Sequence, residues 1–365
     1  MDEKGIDFIK NRIAPLVRPN ILALKPYASA RDEFQLGGDQ IADHLFLDAN
    51  ENSLGAPIPG NYHRYPDPHQ LALKQLLAIQ RGVQADQIFL GNGSDEAIDL
   101  LIRAFCIPDK DYIVVLPPTY GMYGVQAAIQ GAGILKIPLL PDFTPDVEAI
   151  LERTDARHKL LFLCSPNNPS GNCFPREKVC ALLEGFRGIV VVDEAYQDFS
   201  GEASYCDLIE KYPNLVVLQT FSKAWGLAGL RLGMAFSNPM VVQILDKIKY
   251  PYNVNSATLE LVQAAMGQAS VVRAQVDRLI AARVELASAL QALPCVTHVY
   301  PSAANFLLVQ VRNADAIYAY LCAQGIVVRN RSKEPLCENC LRITIGDAAA
   351  HEKLIMALKL YETTA

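Results

Sequence analysis

The chain has 365 residues, of which 51% are hydrophobic and 20% are charged, as is typical of a folded globular protein. Its net charge is −6 and it has no basic run, which argues against a nucleic-acid-binding protein or one held to an anionic membrane. The polar N-terminus and the lack of an apolar run near the roughly 20 residues that a bilayer requires predict a cytoplasmic protein.

The nine cysteines are scattered and odd in number, which fits reduced thiols in a cytosolic enzyme. Cys337 and Cys340 form a C-x-x-C pair without a second pair or a histidine at zinc spacing. We interpret this pair as incidental and predict no metal site.

At the N-terminus, residues 6–18 carry apolar side chains at helical spacing, although Pro15 complicates a continuous helix. Pro19 and Pro26 then indicate an extended arm. Such an arm would either cross to a partner subunit or cover a cleft.

Short apolar runs alternate with amphipathic segments from residue 45 to residue 236. The predicted strands are 45–47, 88–90, 113–116, 160–163, 189–192 and 215–218, and the predicted helices are 69–81, 95–106, 121–131 and 176–186. Near-continuous apolar strands separated by helices predict an α/β domain with a mostly parallel sheet covered by helices.

The last third of the chain predicts a smaller α+β domain. It has a long helical region at 256–293, strands at 305–311, 326–329 and 341–346, and helices at 314–324 and 348–361. The predicted organisation is therefore an N-terminal arm with part of the small domain (1–40), a large domain (41–265) and a small C-terminal domain (266–365).

Polar clusters follow several of the predicted strands. They lie at 91–94, 117–120, 165–169, 193–196 and 220–223. Ligands of parallel α/β sheets gather at the carboxyl ends of the strands. The repeated position of these clusters is a stronger indication of a binding site than any one of them.

The most informative segment, 220–233, reads Thr-Phe-Ser-Lys-Ala-Trp-Gly-Leu-Ala-Gly-Leu-Arg-Leu-Gly and follows an apolar strand. Ser222 supplies a hydroxyl and Arg231 a planar fork suited to a phosphate, with Lys223 between them. An amine beside a phosphate site suggests a Schiff base with pyridoxal phosphate. A solvated lysine and a structural arginine explain this segment equally well when it is taken alone.

The segment Gly91-Asn92-Gly93-Ser94-Asp95-Glu96 opens a predicted helix, and a helix N-terminus after a glycine turn can bind an anion. Glu96 stands where the dinucleotide pattern G-x-G-x-x-G requires its third glycine, and a P-loop ending is also missing. The side chains of Asp95 and Glu96 are also explained as first-turn acids that complement the helix dipole.

Asp193 ends a very apolar strand, where a carboxylate needs a partner. A protonated pyridine nitrogen is one such partner, and a capping or salt-bridged role is the commoner alternative. Tyr196 and Asn168 could both reach the phenolic oxygen of the same ring, and the alternative for Asn168 is that it only builds a turn.

Aromatic and basic side chains complete the candidate site. Tyr120 could stack on a cofactor ring, although a tyrosine is more often a packing residue. Arg329 is predicted to end one strand and Arg342 to begin another. The two arginines either bind a carboxylate or phosphate, or form surface salt bridges.

Taken together, these segments resemble the aspartate aminotransferase superfamily of fold-type I pyridoxal phosphate enzymes, and most closely its histidinol-phosphate aminotransferase family. The resemblance covers nearly the whole chain. Its motifs are 47–52, 64–67, 93–96, 118–123, 165–171, 192–196, 222–223, 230–233 and 340–344. It implies a large cofactor-binding domain with a smaller α+β domain.

The resemblance also implies roles for individual residues. Lys223, Asp193 and Tyr196 would be catalytic, with Lys223 attached to the cofactor and Asp193 paired with its ring nitrogen. The implied cofactor-binding set is Tyr65, Ser94, Asp95, Tyr120, Asn168, Asp193, Tyr196, Thr220, Ser222, Lys223 and Arg231, and the implied substrate-binding set is Tyr27, Arg329 and Arg342. Tyr65 would reach the phosphate site of the neighbouring subunit in a homodimer.

The implied reaction transfers the amino group of histidinol phosphate to 2-oxoglutarate in histidine biosynthesis. Related aminotransferases of aromatic amino acids and decarboxylases of threonine phosphate share much of the pattern, so both stay open as alternatives. A cofactor-binding regulator is a further alternative, but the chain has neither a helix-turn-helix segment nor a basic extension.

Overall fold

The computed structural model describes residues 11–26 and 47–364. The chain forms two compact units, and each unit draws on separate stretches of sequence. The first comprises 1–107, 205–222 and 226–269, and the second comprises 108–204, 223–225 and 270–365. These units are not the three predicted domains, and the predicted domain boundaries stay a prediction.

The first unit contains strands and α-helices from three separate stretches of sequence. The strands are β1 (Ile88–Asn92), β6 (Leu215–Thr220) and β7 (Leu232–Ser237), and the helices are α1 (Pro19–Ala23), α2 (Leu71–Arg81), α3 (Ser94–Phe105), α7 (Pro239–Ile248) and α8 (Ser256–Met266). Strand β7 pairs antiparallel with both β1 and β6. Helix α3 buries its apolar face, including Ala97, Leu101 and Phe105, as its sequence predicts.

The second unit contains four parallel strands, and three of them are followed by predicted polar clusters. The elements are β2 (Tyr112–Val115), α4 (Met122–Gln130), β3 (Gly133–Lys136), α5 (Val147–Arg153), β4 (His158–Cys164), α6 (Arg176–Gly185) and β5 (Ile189–Asp193). The parallel order is β5-β4-β2-β3. Because the carboxyl ends of parallel strands share one edge, the residues after β2 and β4 lie beside Asp193 at the end of β5.

A second sheet in the same unit is antiparallel. It contains β8 (Val296–Val299), β9 (Phe306–Val311), β10 (Arg329–Asn330) and β11 (Cys340–Thr344) in the order β10-β11-β9-β8. Helices α9 (Ala269–Gln291), α10 (Ala314–Ala323) and α11 (Ala348–Thr364) supply apolar side chains to its core, for example Leu290, Ile317 and Leu358. This sheet carries the two predicted substrate arginines.

Most of the predicted elements are confirmed within one to four residues of their ends. The helical region predicted at 256–293 is two helices, α8 and α9, separated at Gly267. The predicted extended arm is wrong at Pro19, because this proline is the first residue of α1, where its missing N–H leaves no helical hydrogen bond unmade.

Two predictions fall partly outside the described residues. The predicted helix at 6–18 and the predicted strand at 45–47 both begin before the first described residue of their segments, at 11 and 47 respectively. Leu47 is described, is 82% exposed and belongs to no strand. None of the helices within 11–26 and 47–364 is long and apolar enough to cross a membrane.

Candidate active site

In the first unit, the candidate phosphate site begins at the N-terminus of α3. Gly93 occupies the N-cap with φ of 71°, a left-handed value that glycine adopts without strain. The described residues provide no side-chain hydrogen bond at this cap, and the backbone amides of a helix start can bind an anion.

Arg231 lies beside this helix start. Its Nη1 is 3.4 Å from Ser222 Oγ, its Nη2 is 3.5 Å from Asp95 Oδ2, and its carbonyl accepts a 2.6 Å hydrogen bond from Gly93 N–H. The Thr220 hydroxyl accepts from Ser222 N–H at 3.0 Å, which holds the turn before Lys223. The structure therefore brings the predicted phosphate-binding residues of this unit together.

Glycine at position 233 makes this close approach possible. Gly233, in β7, pairs with Gly91 of β1 on one side and with Thr220 of β6 on the other. A Cβ at Gly233 would collide with Ser94 N and with the backbone of Gly93. A side chain at Gly233 would therefore displace the start of α3 from the Arg231 turn.

Tyr65 occupies a different part of the first unit. Its ring stacks on Tyr252 with centroids 4.5 Å apart, its backbone N–H donates to Glu51 Oε1 at 2.7 Å, and half of the residue is exposed. These residues border a cavity of about 480 Å³ that Arg64 also lines. Tyr65 is therefore half-exposed at the edge of a cavity.

In the second unit, Asp193 is 3% exposed and has both carboxylate oxygens in hydrogen bonds. Its Oδ1 accepts from Ala195 N–H at 3.0 Å and its Oδ2 accepts from the Tyr123 hydroxyl at 2.6 Å. Tyr123 is fully buried and stacks on Phe162 with centroids 4.6 Å apart. Burial, followed by the charge of Asp193, raises the pKa of Tyr123, so its hydroxyl stays a donor.

A chain of contacts connects the predicted substrate arginine to the predicted ring-binding residues. Arg342 Nη1 donates to Asn168 Oδ1 at 2.6 Å, and Asn168 Nδ2 approaches Tyr196 Oη at 3.4 Å. Lys223 Nζ lies 5.6 Å from the centroid of the Tyr196 ring. The second unit thus brings Arg342, Asn168, Tyr196 and Lys223 together.

Burial dominates the electrostatics of this chain of contacts. It raises the pKa of Tyr196 well above the usual range and lowers the pKa of Arg342. The Arg342 guanidinium lies 5.2 Å from the ring centroid of Phe306, which also packs edge-on against Tyr196. Phe306 therefore keeps water from one side of both polar groups.

Arg329 and Arg342 face each other directly in the pairing of β10 with β11. The predicted strand positions are wrong, because Arg329 begins β10 instead of ending a strand, and Arg342 is the third residue of β11 instead of its first. Tyr120 packs edge-on against Tyr123 at 5.5 Å. Tyr27 lies outside the described residues.

Sequence reasoning did not single out Tyr123, which contacts Asp193, or Arg331, which continues the segment of Arg329. Tyr123 follows Tyr120 at i+3 in Tyr-Gly-Met-Tyr, the two rings contact each other, and the Tyr123 hydroxyl reaches Asp193. Arg331 follows Arg329 at i+2, which places both on one face of an extended segment. Both spacings were visible in the sequence as signals.

The residues present fit pyridoxal phosphate. An uncapped helix start beside Ser222 and Arg231 suits a phosphate, and a buried carboxylate held by two hydrogen bonds suits a pyridinium nitrogen. Metal binding lacks comparable support, since no group of three or more His, Cys, Asp or Glu side chains could hold an ion within 11–26 and 47–364.

The fold and these side chains define an aminotransferase of the pyridoxal phosphate type, and the comparison with known families agrees. The chain belongs to the family of class I and II aminotransferases, which matches residues 38–358. The predicted superfamily is therefore confirmed.

Curated relatives narrow the class to histidinol-phosphate aminotransferases. The chain is 51% identical to the histidinol-phosphate aminotransferase of Parabacteroides distasonis over 344 residues, covering 94% of this chain and 97% of that protein. It is 49% identical to the enzyme of the same name from Flavobacterium johnsoniae over 348 residues, covering 95% and 98%.

Solved structures confirm the predicted fold. The histidinol-phosphate aminotransferase of Sinorhizobium meliloti, solved in complex with pyridoxal-5'-phosphate, matches with a TM-score of 0.77 and 27% identity over 87% of this chain and 90% of that one. Aspartate aminotransferase of Thermus thermophilus shares the fold, with a TM-score of 0.70 and 21% identity over 83% and 88%.

Proposed function

We propose that the protein is a pyridoxal-phosphate-dependent transaminase that converts histidinol phosphate and 2-oxoglutarate to imidazole acetol phosphate and glutamate. The relatives that share about half of its residues carry the corresponding name. The observation that supports this reaction best is the contact from Arg342 through Asn168 to Tyr196, with Lys223 beside it. It joins an anion-binding group to an amine that can act on the substrate.

Residues from several segments of the chain would bind the cofactor. Ser222, Arg231, Thr220 and the amides of Ser94 and Asp95 would hold its phosphate. Asp193 would pair with the ring nitrogen, Tyr196 and Asn168 would flank the ring oxygen, and Tyr120 would stack on the ring. Ser222 directly precedes Lys223 in the sequence, so the peptide chain itself joins the phosphate-binding set to the catalytic lysine.

The bound cofactor withdraws electrons from the substrate's α-carbon. Lys223 would take the proton from that carbon as a general base and return a proton as a general acid. Asp193, held by Tyr123 and Ala195, would keep a negative charge opposite the ring nitrogen. Arg342 would bind the anion next to the reacting carbon, which is phosphate in one half-reaction and carboxylate in the other.

Arg329 and Tyr27 would favour the phosphate of histidinol phosphate. Tyr65 would complete the phosphate site of the neighbouring subunit, so the working enzyme would be a homodimer. Its half-exposed ring at the edge of a cavity supports this role. We also propose that this homodimer acts in the cytoplasm.

A substrate panel tests the reaction. Single-turnover absorbance of the cofactor is measured with histidinol phosphate, phenylalanine, tyrosine, aspartate and glutamate, and we expect histidinol phosphate and glutamate to react fastest. A preference for phenylalanine would replace this function with an aromatic aminotransferase. Repeated turnover of threonine phosphate without a keto acid would replace it with a decarboxylase.

Two further measurements test the residue roles. Borohydride reduction should fix the cofactor to the peptide that contains Lys223, and modification of another lysine would refute this assignment. Mixed dimers of Lys223→Ala and Tyr65→Phe should recover activity if Tyr65 acts across subunits. Lack of recovery after demonstrated subunit exchange would refute a shared site.

A further inference from the structure

Three arginines share one face of the second sheet. Arg329 lies opposite Arg342 in the antiparallel pair, and Arg331 follows Arg329 at i+2. Arg331 N–H donates to Cys340 O at 2.8 Å, so the ladder continues past the end of β10 and keeps Arg331 extended. Side chains at i and i+2 of an extended segment point to the same face, which places the third guanidinium beside the other two.

This cluster holds unused hydrogen-bonding groups. Arg331 Nε, Ser332 Oγ and Arg342 Nε are buried and have no hydrogen-bond partner among residues 11–26 and 47–364. A buried polar group without a hydrogen-bond partner destabilises the fold, and more strongly when it is charged. Three such groups without partners in one cluster point to a ligand that forms hydrogen bonds with them.

Carboxylates do not neutralise the cluster. Over the same described ranges, none of the three arginines forms a salt bridge. Asp315, on α10, instead accepts from Asn330 Nδ2 at 2.6 Å. Burial lowers the pKa of Arg342 and Tyr196 opposes this effect, while the positive charges of Arg331 and Arg329 lower the pKa of Arg342 further.

We propose that Arg331, with Ser332 beside it, binds the phosphate of the substrate together with Arg329 and Arg342, and makes the site prefer a phosphate monoester to a carboxylate. This proposal rests on the proposed function. Arg342 already shares its guanidinium with Asn168. A carboxylate has two oxygens and one charge, whereas a phosphate monoester has three free oxygens and up to two charges, so it can engage a third guanidinium.

Substitutions at Arg331 test this role in the holoenzyme. Arg331→Gln removes the fork and Arg331→Lys retains only the charge, while Lys333→Gln is the matched control, because it removes an exposed cation two residues away. In Arg331→Gln we expect half-saturation by histidinol phosphate to rise about 30-fold or more, as for loss of one partner of a desolvated charge pair. Lys333→Gln should change it less than about fivefold.

Further probes separate phosphate binding from a general loss of function. The affinity for inorganic phosphate, measured by calorimetry, should fall in Arg331→Gln, whereas single turnover with glutamate and binding of unphosphorylated histidinol should stay within about fivefold of wild type. Ser332→Ala should also weaken the binding of histidinol phosphate, by a smaller factor than Arg331→Gln. If Arg331→Gln does not fold, Arg331→Lys provides the test, with weaker phosphate binding expected.

The outcomes distinguish this proposal from the proposed function. If wild-type enzyme does not convert histidinol phosphate, the proposed function fails. If it does, but Arg331→Gln and Arg331→Lys behave like Lys333→Gln, the phosphate role of Arg331 is refuted. Equal losses with glutamate and histidinol phosphate would refute the preference for phosphate.

Discussion

Replacing Tyr123 by phenylalanine removes the hydrogen bond that its hydroxyl donates to Asp193. The Tyr123 hydroxyl donates to Asp193 Oδ2 at 2.6 Å, while its ring stacks on Phe162. Phenylalanine keeps the ring and its packing, so the substitution deletes only the hydroxyl. Asp193 Oδ1 keeps its bond from Ala195 N–H.

The expected loss follows from the charge and burial of the pair. Hydrogen bonds to charged groups contribute about 1.5–3 kcal/mol to stability. Tyr123 is fully buried and Asp193 is 3% exposed, so water does not easily replace the lost donor. Tyr123→Phe should therefore lower the free energy of unfolding of the apoprotein by about 1.5–3 kcal/mol.

Urea denaturation followed by tryptophan fluorescence measures this loss. Trp225 is the single tryptophan, is buried and belongs to the same compact unit as Tyr123. Tyr300→Phe is the matched control, since its hydroxyl makes no hydrogen bond within the described part of the chain and its loss should change stability by less than about 0.5 kcal/mol.

A double-mutant cycle with Asp193→Asn then isolates the interaction between the two side chains. Equal stability of Tyr123→Phe and the Tyr300→Phe control would refute the reasoning, because the hydrogen bond would then contribute nothing measurable. A coupling energy near zero would show that the loss arises elsewhere in the packing.

Three further predictions concern the phosphate-binding turn and the buried thiols. Gly233→Ala should weaken cofactor binding and destabilise the apoprotein by about 1–3 kcal/mol, because the new Cβ collides with Ser94 N. Gly229→Ala is the control, since a Cβ at Gly229 meets open space. Equal cofactor affinities of the two variants would contradict this prediction. Arg231→Gln should raise the cofactor dissociation constant about 10- to 150-fold in equilibrium titration, and an unchanged constant would remove Arg231 from the phosphate site. Burial raises the pKa of the Cys337 thiol from 9.0 to about 12, so the stability that the protonated thiol contributes is full below about pH 9 and is lost between about pH 9 and 12. In Cys337→Ala, the urea midpoint of unfolding should therefore decline less steeply over this pH range. An unchanged slope would refute this expectation.

The parallel core of the second unit was predictable because its strands are nearly continuous apolar runs. Residues 160–163 and 189–192 have little that is polar, and they are fully buried in β4 and β5. β3 was missed because Gly133–Lys136 is only four residues long and half-exposed. β10 was placed too early, because the apolar run at 326–328 resembles a strand although the ladder begins at Arg329.

The candidate site was predictable where chemistry depends on residue type and sequence neighbours. Ser222, Lys223 and Arg231 stand in one short segment, and Asp193 ends a strand, so these residues are visible without a structure. Tyr123 is different, because its importance depends on which long-range neighbour it meets. Asp193 is 70 residues from Tyr123, and Arg342 reaches Asn168 across 174 residues.

A transaminase must accept two unlike substrates in one site, and this requirement limits which residues can select between them. Arg342 is engaged by Asn168 and would serve both half-reactions, so it is poorly placed to discriminate. Discrimination has to come from groups that only one substrate can satisfy. Within the described residues, Arg331 Nε and Ser332 Oγ are such groups, because both are buried and unpartnered on the face that carries Arg342. Loss of Arg342 should therefore impair both half-reactions, whereas loss of Arg331 should impair the one that begins with the phosphate ester.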